Sequence, residues 1–318
     1  MHADDDLAEL IRAADPARTP ADAGTRAHVV RDRIVAREGG AGRRRTRSLV
    51  LVAAAAAGVL AISLTTPWLG GGEGAHALTP PPLDYAPVSD SAVDVVAEAT
   101  AELEDADVVV AEPVRAVDAL GWYLDISYGE GDVVVAARAP ERTSLVWEPD
   151  LSGRSTVIAA RSTWDDDAVD APEPGTVLSD IVFAPGEFTT PVVDPPAADA
   201  ASLLAALADY GLPETYTAAD LMTTAEGLLQ QWTLSDTQEA VLLDLLADAD
   251  DVVVEGEAAD REGRPVIGLS AATPTHEVTW LVSRDTGRIV GAESALLDDL
   301  DTIPAGSIIS YTLWGIES

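Results

Sequence analysis

Histidine and acidic residues are the side chains of this sequence that could serve catalysis or metal binding. The histidines are His2, His28, His76 and His276, and only His276 lies in a stretch patterned like folded structure. A serine–histidine–aspartate triad would have to use His276, but the Gly-x-Ser-x-Gly motif is absent. No second histidine follows His276-Glu277 at helical spacing, and the chain has no Cys. We therefore predict no catalytic residues, no metal and no cofactor, and interpret His276 as a residue at a strand end.

Acidic residues form short clusters at residues 4–6, 165–167, 248–251 and 298–301. No cluster matches the full EF-hand pattern, in which glycine at position six and glutamate at position twelve accompany the acidic ligands. We interpret the clusters as solvated surface charge. A weak Ca²⁺ site at residues 165–167 is the alternative. A pair of carboxylates could also serve a glycoside hydrolase, but any acidic protein supplies such pairs.

Four tryptophans fall on or beside stretches with the pattern of β-strands. They are Trp122, Trp147, Trp280 and Trp314. One interpretation is a packed core or an aromatic belt over a sheet. The functional alternative is an apolar groove for a lipid or a hydrophobic peptide, formed where a curved sheet faces helices.

Charge is distributed unevenly along the chain. The sequence has 55 acidic residues against 19 basic ones, all of them arginine, and a net charge of -36. Residues 1–47 contain ten arginines and eight acidic residues, so nearly all of the negative charge lies in the remainder. Phosphates would be repelled by so acidic a surface, which argues against nucleic acid as a partner.

An uncharged run of 21 residues, Leu49–Leu69, is long enough to cross a bilayer core. At 1.5 Å per residue it would span about 31 Å as a helix. Arginines precede the run, none follows it before Arg115, and a tryptophan lies near its far end. These topology residues are Arg43, Arg44, Arg45, Arg47 and Trp68. The positive-inside rule then places the N-terminus in the cytoplasm and makes the lipid bilayer a partner of residues 48–69.

A cleaved secretory signal is the competing interpretation of this run. Ala75-His76-Ala77 is a small-x-small sequence of the kind that signal peptidases cut. The basic region before the run is much longer than in an ordinary signal, and the apolar run exceeds the usual length. We expect a retained anchor, with cleavage after Ala77 as the alternative.

The rest of the chain divides by composition. Residues 1–47 form a cytoplasmic segment with two short amphipathic stretches. Residues 70–90 are rich in glycine and then in proline, which predicts a flexible joint followed by a stiffer spacer. Residues 91–318 have the pattern of an extracytoplasmic α+β domain.

Periodicity within 91–318 predicts helices and strands that alternate in blocks. Helices are expected at 91–103, 202–210, 217–232 and from Ser235, where Ser235-Asp-Thr-Gln238 matches a capping box. Strands are expected at 121–128, 133–138, 144–147, 155–160, 252–255, 266–271, 277–283, 288–295 and 307–313, with a short one near 181–183 in a long loop over 162–198. The predicted fold class is α+β: N-terminal cytoplasmic helices, one transmembrane helix, and curved antiparallel sheet with packed helices outside.

Several segments together resemble a family of uncharacterised actinobacterial single-pass membrane proteins. The segments are LAELIRAADPA at 7–17, Trp122-Tyr-Leu, Asp150 to Arg154, 263–291 and 303–312. The resemblance implies the layout of membrane anti-sigma factors and an external domain similar to periplasmic lipoprotein carriers. The chain departs from zinc-type anti-sigma factors, because no Cys pair follows His28.

These features lead to a functional expectation. We expect a non-enzymatic, single-pass membrane protein whose external domain senses or binds an envelope component and acts on a cytoplasmic regulatory protein through residues 1–47. The alternative is an anchored or secreted carrier of a hydrophobic envelope ligand. A carboxylate-dependent glycan hydrolase ranks third.

Overall fold

The computed structural model describes residues 79–105, 109–128, 133–137, 139–162, 164, 172–300 and 303–316. The predicted cytoplasmic segment 1–47, the predicted span 48–69, its topology residues and the Ala77 cleavage site lie outside these ranges. Within them, no helix is both long and apolar enough to cross a membrane.

Four helices lie in the described part of the chain, and polar residues mark their starts. They are α1 (Ala92–Asp105), α2 (Ala200–Asp209), α3 (Ala218–Leu229) and α4 (Asp236–Ala247). The predicted capping box at Ser235 and Gln238 is confirmed at the start of α4. Thr217 caps α3 in the same way, and Asp199 accepts the Ser202 N–H at the start of α2.

Ten strands in the described ranges form one antiparallel sheet. They are β1 (Ala116–Tyr128), β2 (Val133–Ala137), β3 (Glu141–Trp147), β4 (Gly153–Ala159), β5 (Val177–Phe183), β6 (Val253–Ala259), β7 (Pro265–Ala272), β8 (His276–Ser283), β9 (Ile289–Leu296) and β10 (Ile308–Trp314). Their order across the sheet is β5-β4-β3-β1-β10-β9-β8-β7-β6, and β2 pairs with the end of β1. The predicted α+β fold with an antiparallel sheet is therefore confirmed.

Two predicted boundaries differ from the structure for local reasons. β1 begins at Ala116 rather than Gly121, because Ala116 to Gly121 pair with β3 before the strand continues along β10. α3 ends at Leu229, and the Gln231 and Trp232 N–H groups both bond the Leu228 carbonyl in a closing turn.

The two faces of the sheet are covered differently. The helices pack on one face, where Leu203, Leu221 and Leu242 meet Trp280 and Leu269 in the larger core. We call this the helix-side core. The other face carries a smaller cluster, the outer core, which no described helix covers. It is closed by chain segments that include Leu83, Tyr85 and Trp164.

Candidate functional site

The four tryptophans proposed to line a groove lie in two separate cores. Trp147, Trp280 and Trp314 belong to the helix-side core, and Trp122 belongs to the outer core. Their exposed fractions are 1%, 0%, 7% and 2% in that order. The Trp147 indole Nε1 donates to the Gln231 carbonyl at 2.8 Å. The structure thus places all four as packed core residues and does not bring them to one surface.

His276 opens β8 as expected for a strand-end residue. Its Nδ1 lies 3.0 Å from the Thr273 hydroxyl and 3.1 Å from the Thr275 hydroxyl. Burial lowers the pKa of the imidazole. Among the described residues no group of three histidine or acidic side chains could hold a metal ion, and the alternative Ca²⁺ site at 165–167 lies outside them.

The outer core contains a row of mostly polar side chains that crosses five neighbouring strands. Backbone pairing puts Ser270 opposite Thr279, Thr279 opposite Glu293, Glu293 opposite Tyr311, and Tyr311 opposite Trp122. All five are buried. We call them the outer row. The five side chains project to the same face of the sheet, because directly opposed residues on paired strands share a face.

A buried ion pair lies at the centre of the outer row. Arg261, from the turn between β6 and β7, donates from Nε to Glu293 Oε1 at 2.7 Å, and the two side chains are 4% and 5% exposed. The Arg261 guanidinium also lies over the Tyr311 ring, 4.8 Å from its centroid. Burial raises the pKa of the Glu293 carboxyl, and Arg261 opposes that rise.

Aromatic rings continue the cluster towards β1. Trp122 stacks on Tyr311 with centroids 6.2 Å apart, and the Trp164 ring stands edge-on to both. Three buried N–H donors here have no hydrogen-bond acceptor among the described residues: Trp122 Nε1, Trp164 Nε1 and Arg261 Nη2. The cluster therefore has unused hydrogen-bonding capacity.

A segment of extended chain crosses the same face at its β6 end. We call residues 83–88 the strap; they belong to the stretch 70–90 predicted as a spacer. Ala86 exchanges two backbone hydrogen bonds with Glu257 of β6, at 2.7 and 2.9 Å. The neighbouring Tyr85 ring rests on Gly268 of β7, where an added Cβ would lie 2.7 Å from Tyr85 Cε1. A glycine in the middle of a strand commonly marks such a close approach.

The phenol of Tyr85 lies among carboxylates. Burial raises its pKa well above the usual value, Glu293 and Glu255 raise it further, and Arg261 pulls it down. Glu255 is held by a 2.6 Å hydrogen bond from the Ser270 hydroxyl. Burial and Glu255 likewise raise the pKa of Glu277. The site combines an edge strand that pairs with extended chain, a slot for an aromatic ring, and a negatively charged wall.

A second buried ionic cluster joins the start of α4 to β9. Arg288 pairs with both Asp236 and Glu239 and donates to the Leu234 carbonyl at 2.8 Å. The Ile289 N–H donates to Glu239 at 3.0 Å. Burial raises the pKa of the Glu239 carboxyl to about 7, against the opposing effect of Arg288. This cluster connects helix α4 to strand β9 of the sheet.

Two surface cavities are lined by residues that do not belong to the outer row. One, of about 280 Å³, is lined by Pro140, Pro172 and Pro174 among others. The other, of about 430 Å³, is lined by Tyr216 and by the acidic stretch at Asp250-Asp251. Neither cavity contains any of the four tryptophans.

Sequence reasoning did not find Tyr85, Arg261 or Glu293. Tyr85 stood in a proline-rich stretch typical of spacers, and Arg261 in a turn. The sequence signal was Gly268 within the mostly apolar strand β7, since an isolated strand glycine indicates a bulge or a close approach. Which chain segment approaches could not be inferred, because it lies almost 200 residues away.

No protein-family model, no curated protein and no solved structure matches this chain. The resemblance to anti-sigma-like membrane proteins stays a prediction that rests on the segments quoted above.

Proposed function

We propose that this chain is a non-enzymatic, single-pass membrane protein with an extracytoplasmic binding domain and a regulatory cytoplasmic segment. The domain, residues 91–318, binds or senses an envelope component. Residues 1–47 act on a cytoplasmic protein in the manner of a membrane anti-sigma factor.

The position of the strap is the observation that supports this proposal most directly. Residues 83–88 lie in the last part of the glycine- and proline-rich stretch 70–90, and they lie against the sheet beside the buried Arg261–Glu293 pair. The chain that leads from the proposed anchor is therefore part of the candidate binding surface. Binding at that surface and a change in the tether are coupled by covalent connection.

Charge supports the proposed orientation. Four arginines precede the uncharged run, and the acidic remainder follows it. An acidic domain on the outer side is repelled by anionic lipid headgroups, which favours a domain held off the membrane on a spacer.

A bait made of residues 1–47 tests the regulatory half of the proposal. Incubated with cytoplasmic extract of a high-GC Gram-positive bacterium, it is expected to retain one protein in stoichiometric amount. A matched bait with Leu7, Leu10 and Ile11 changed to serine should lose it, because these residues form the apolar side of the first amphipathic stretch. Equal retention by both baits would contradict regulation through this segment.

Organic extraction tests the carrier alternative. Purified domain that releases a stoichiometric lipid, identified by mass spectrometry, would favour carriage over sensing. The core placement of the four tryptophans gives no support to a groove beneath them.

A further inference from the structure

The strap is seated on the sheet in the way that proteins bind a separate extended peptide. Its backbone pairs with edge strand β6 through the two Ala86–Glu257 hydrogen bonds. Its aromatic side chain, Tyr85, enters a slot on the neighbouring strand. Backbone pairing with a sheet edge plus a pocket for an alternate side chain is the β-strand-addition mode of peptide recognition.

The receiving surface is shaped for this occupant by two glycines. Gly256 of β6 has φ +124°, and an added Cβ would overlap the Ala86 carbonyl group. Gly268 leaves the space that the Tyr85 ring fills. An L-residue rarely adopts the Gly256 conformation, so a side chain there would carry strain as well as a clash.

No residue of the strap is fully buried. Tyr85 keeps part of its surface exposed, and its hydroxyl has no hydrogen-bond partner among the described residues although Glu255, Glu277 and Glu293 are near. The residues on either side of the Tyr85–Ala86 pair, Asp84 and Pro87, are exposed. One backbone bridge and three half-buried side chains attach the strap: Leu83 and Tyr85 pack against the outer core, and Val88 packs against the helix-side core. Segments with few buried contacts are the ones that open most readily.

We infer that the slot formed by Gly256 and Gly268 on β6 and β7 is a binding site for an extended peptide with an aromatic residue followed by a small one, and that the strap holds this site closed. The inference deepens the proposed function and rests on it for its biological role. A peptide bound in trans displaces the strap, and the chain that leads from the strap into α1 is released from the sheet.

Displacement of the strap would affect strand β6, which is connected to helix α1 through one arginine. Arg284, in the turn between β8 and β9, makes two hydrogen bonds to Glu98 of α1, at 2.8 and 2.9 Å, and an ion pair with Glu257 at 3.2 Å. Glu257 is also the backbone partner of the strap. One arginine therefore links the strand that receives the strap to the helix that follows it.

Binding of a synthetic peptide to the purified full-length chain in detergent tests the inference. The probe is a fluorescein-labelled peptide of residues 80–90, followed by fluorescence anisotropy. We expect weak binding to the wild type, because the tethered strap competes. Tyr85→Ala should bind the probe at least about tenfold more tightly, and adding Gly268→Val to that variant should abolish the gain.

Two further variants test separately the roles of the Tyr85 ring and of the Ala86 backbone bridge. Tyr85→Phe keeps the ring in the slot and should bind the probe as weakly as the wild type. Ala86→Pro removes the N–H that bonds the Glu257 carbonyl and should also open the site, without touching the ring. Native near-ultraviolet circular dichroism establishes that each variant is folded.

Equal binding by wild type, Tyr85→Ala and Ala86→Pro would overturn the inference, as would a gain that survives Gly268→Val. Neither result depends on membrane insertion or on residues 1–47. A failed bait experiment with a positive peptide result would leave a self-closed peptide site without the proposed signalling output.

Discussion

Arg261 and Glu293 form a buried ion pair at the centre of the outer row. Changing Glu293 to glutamine leaves a buried guanidinium without its counter-charge. We expect the free energy of unfolding to fall by about 3 kcal/mol. Guanidinium denaturation of the full chain in detergent, followed by tryptophan fluorescence, measures this loss.

Removing both charges together is the matched control. The double variant Arg261→Met, Glu293→Leu should recover most of the lost stability, because neither charge then remains buried alone. If the losses measured for Arg261→Met and for Glu293→Leu alone simply added in the double variant, the pair would not interact as the geometry requires.

Glu226 on α3 gives the fold a dependence on pH. Burial raises its pKa to about 8, above its ordinary value near 4.5. The folded state therefore binds the proton more tightly than the unfolded state, and stability declines as pH rises from about 4.5 to about 8. Glu226→Gln should raise the melting temperature at pH 8 and change it little at pH 4.5.

Exposed Glu214 provides the comparison for this pH effect. Glu214→Gln should shift the melting temperature by less than the Glu226 variant at pH 8. If Glu226→Gln gave the same shift at both pH values, the burial of its carboxyl would not be the cause.

Single residues also show where prediction from sequence stops. Ser235 was predictable as a helix cap, because a capping box is a local pattern. The Arg261–Glu293 and Tyr85–Gly268 contacts were not, because each joins segments whose proximity depends on the strand order.

Among the elements, the strap and strand β7 meet at Gly268. Gly268→Ala puts a methyl group into the Tyr85 ring, and we expect a loss of about 1–3 kcal/mol from overpacking. Gly121 lies in β1 with only ordinary contacts around its added Cβ, so Gly121→Ala is the control and should cost less. Denaturation midpoints of both variants measure the difference.

A double-mutant cycle shows whether the strap causes that loss. In the Tyr85→Ala background, Gly268→Ala should be tolerated, since the ring it would meet is gone. The same loss in both backgrounds would indicate that Gly268 is required by something other than the strap.

Helix α4 and strand β9 are joined by Arg288. Arg288→Met leaves Asp236 and Glu239 without their cation and should lower the free energy of unfolding by about 3 kcal/mol. The exposed Arg154–Asp180 pair, with side chains 61% and 40% exposed, is the control. Arg154→Met should lower it by less than about 1 kcal/mol, and equal losses would contradict a structural role for the buried cluster.

Most helices and strands could be predicted from periodicity, but the residues at which they begin and end could not. The helices at 202–210 and from Ser235 follow from apolar spacing and caps. β5 was expected as a short strand near 181–183, but it begins at Val177 because pairing with β4 stabilises residues that carry little pattern of their own.

For the whole molecule, the periodicity of the sequence predicted the class of fold but not the order of the strands in the sheet. Alternating strand patterns led to an antiparallel α+β fold, which the sheet confirms. That β1 pairs with β10, and that the segment before α1 returns to β6, depend on long-range pairing with no local signal. The strap could therefore be recognised only in three dimensions.

The orientation of the chain in a membrane is the central claim, and labelling of introduced cysteines tests it most directly. The chain has no Cys, so a single reporter can be placed on either side of the predicted span. Thr25→Cys reports on the cytoplasmic segment, and Val182→Cys, at a side chain 72% exposed in β5, reports on the domain. Intact cells are treated with a membrane-impermeant maleimide before and after lysis.

We predict that Val182→Cys is labelled in intact cells and that Thr25→Cys is labelled only after lysis, with both proteins in the membrane fraction. Labelling of both positions only after lysis, or recovery of a product that begins at Leu78, would contradict it.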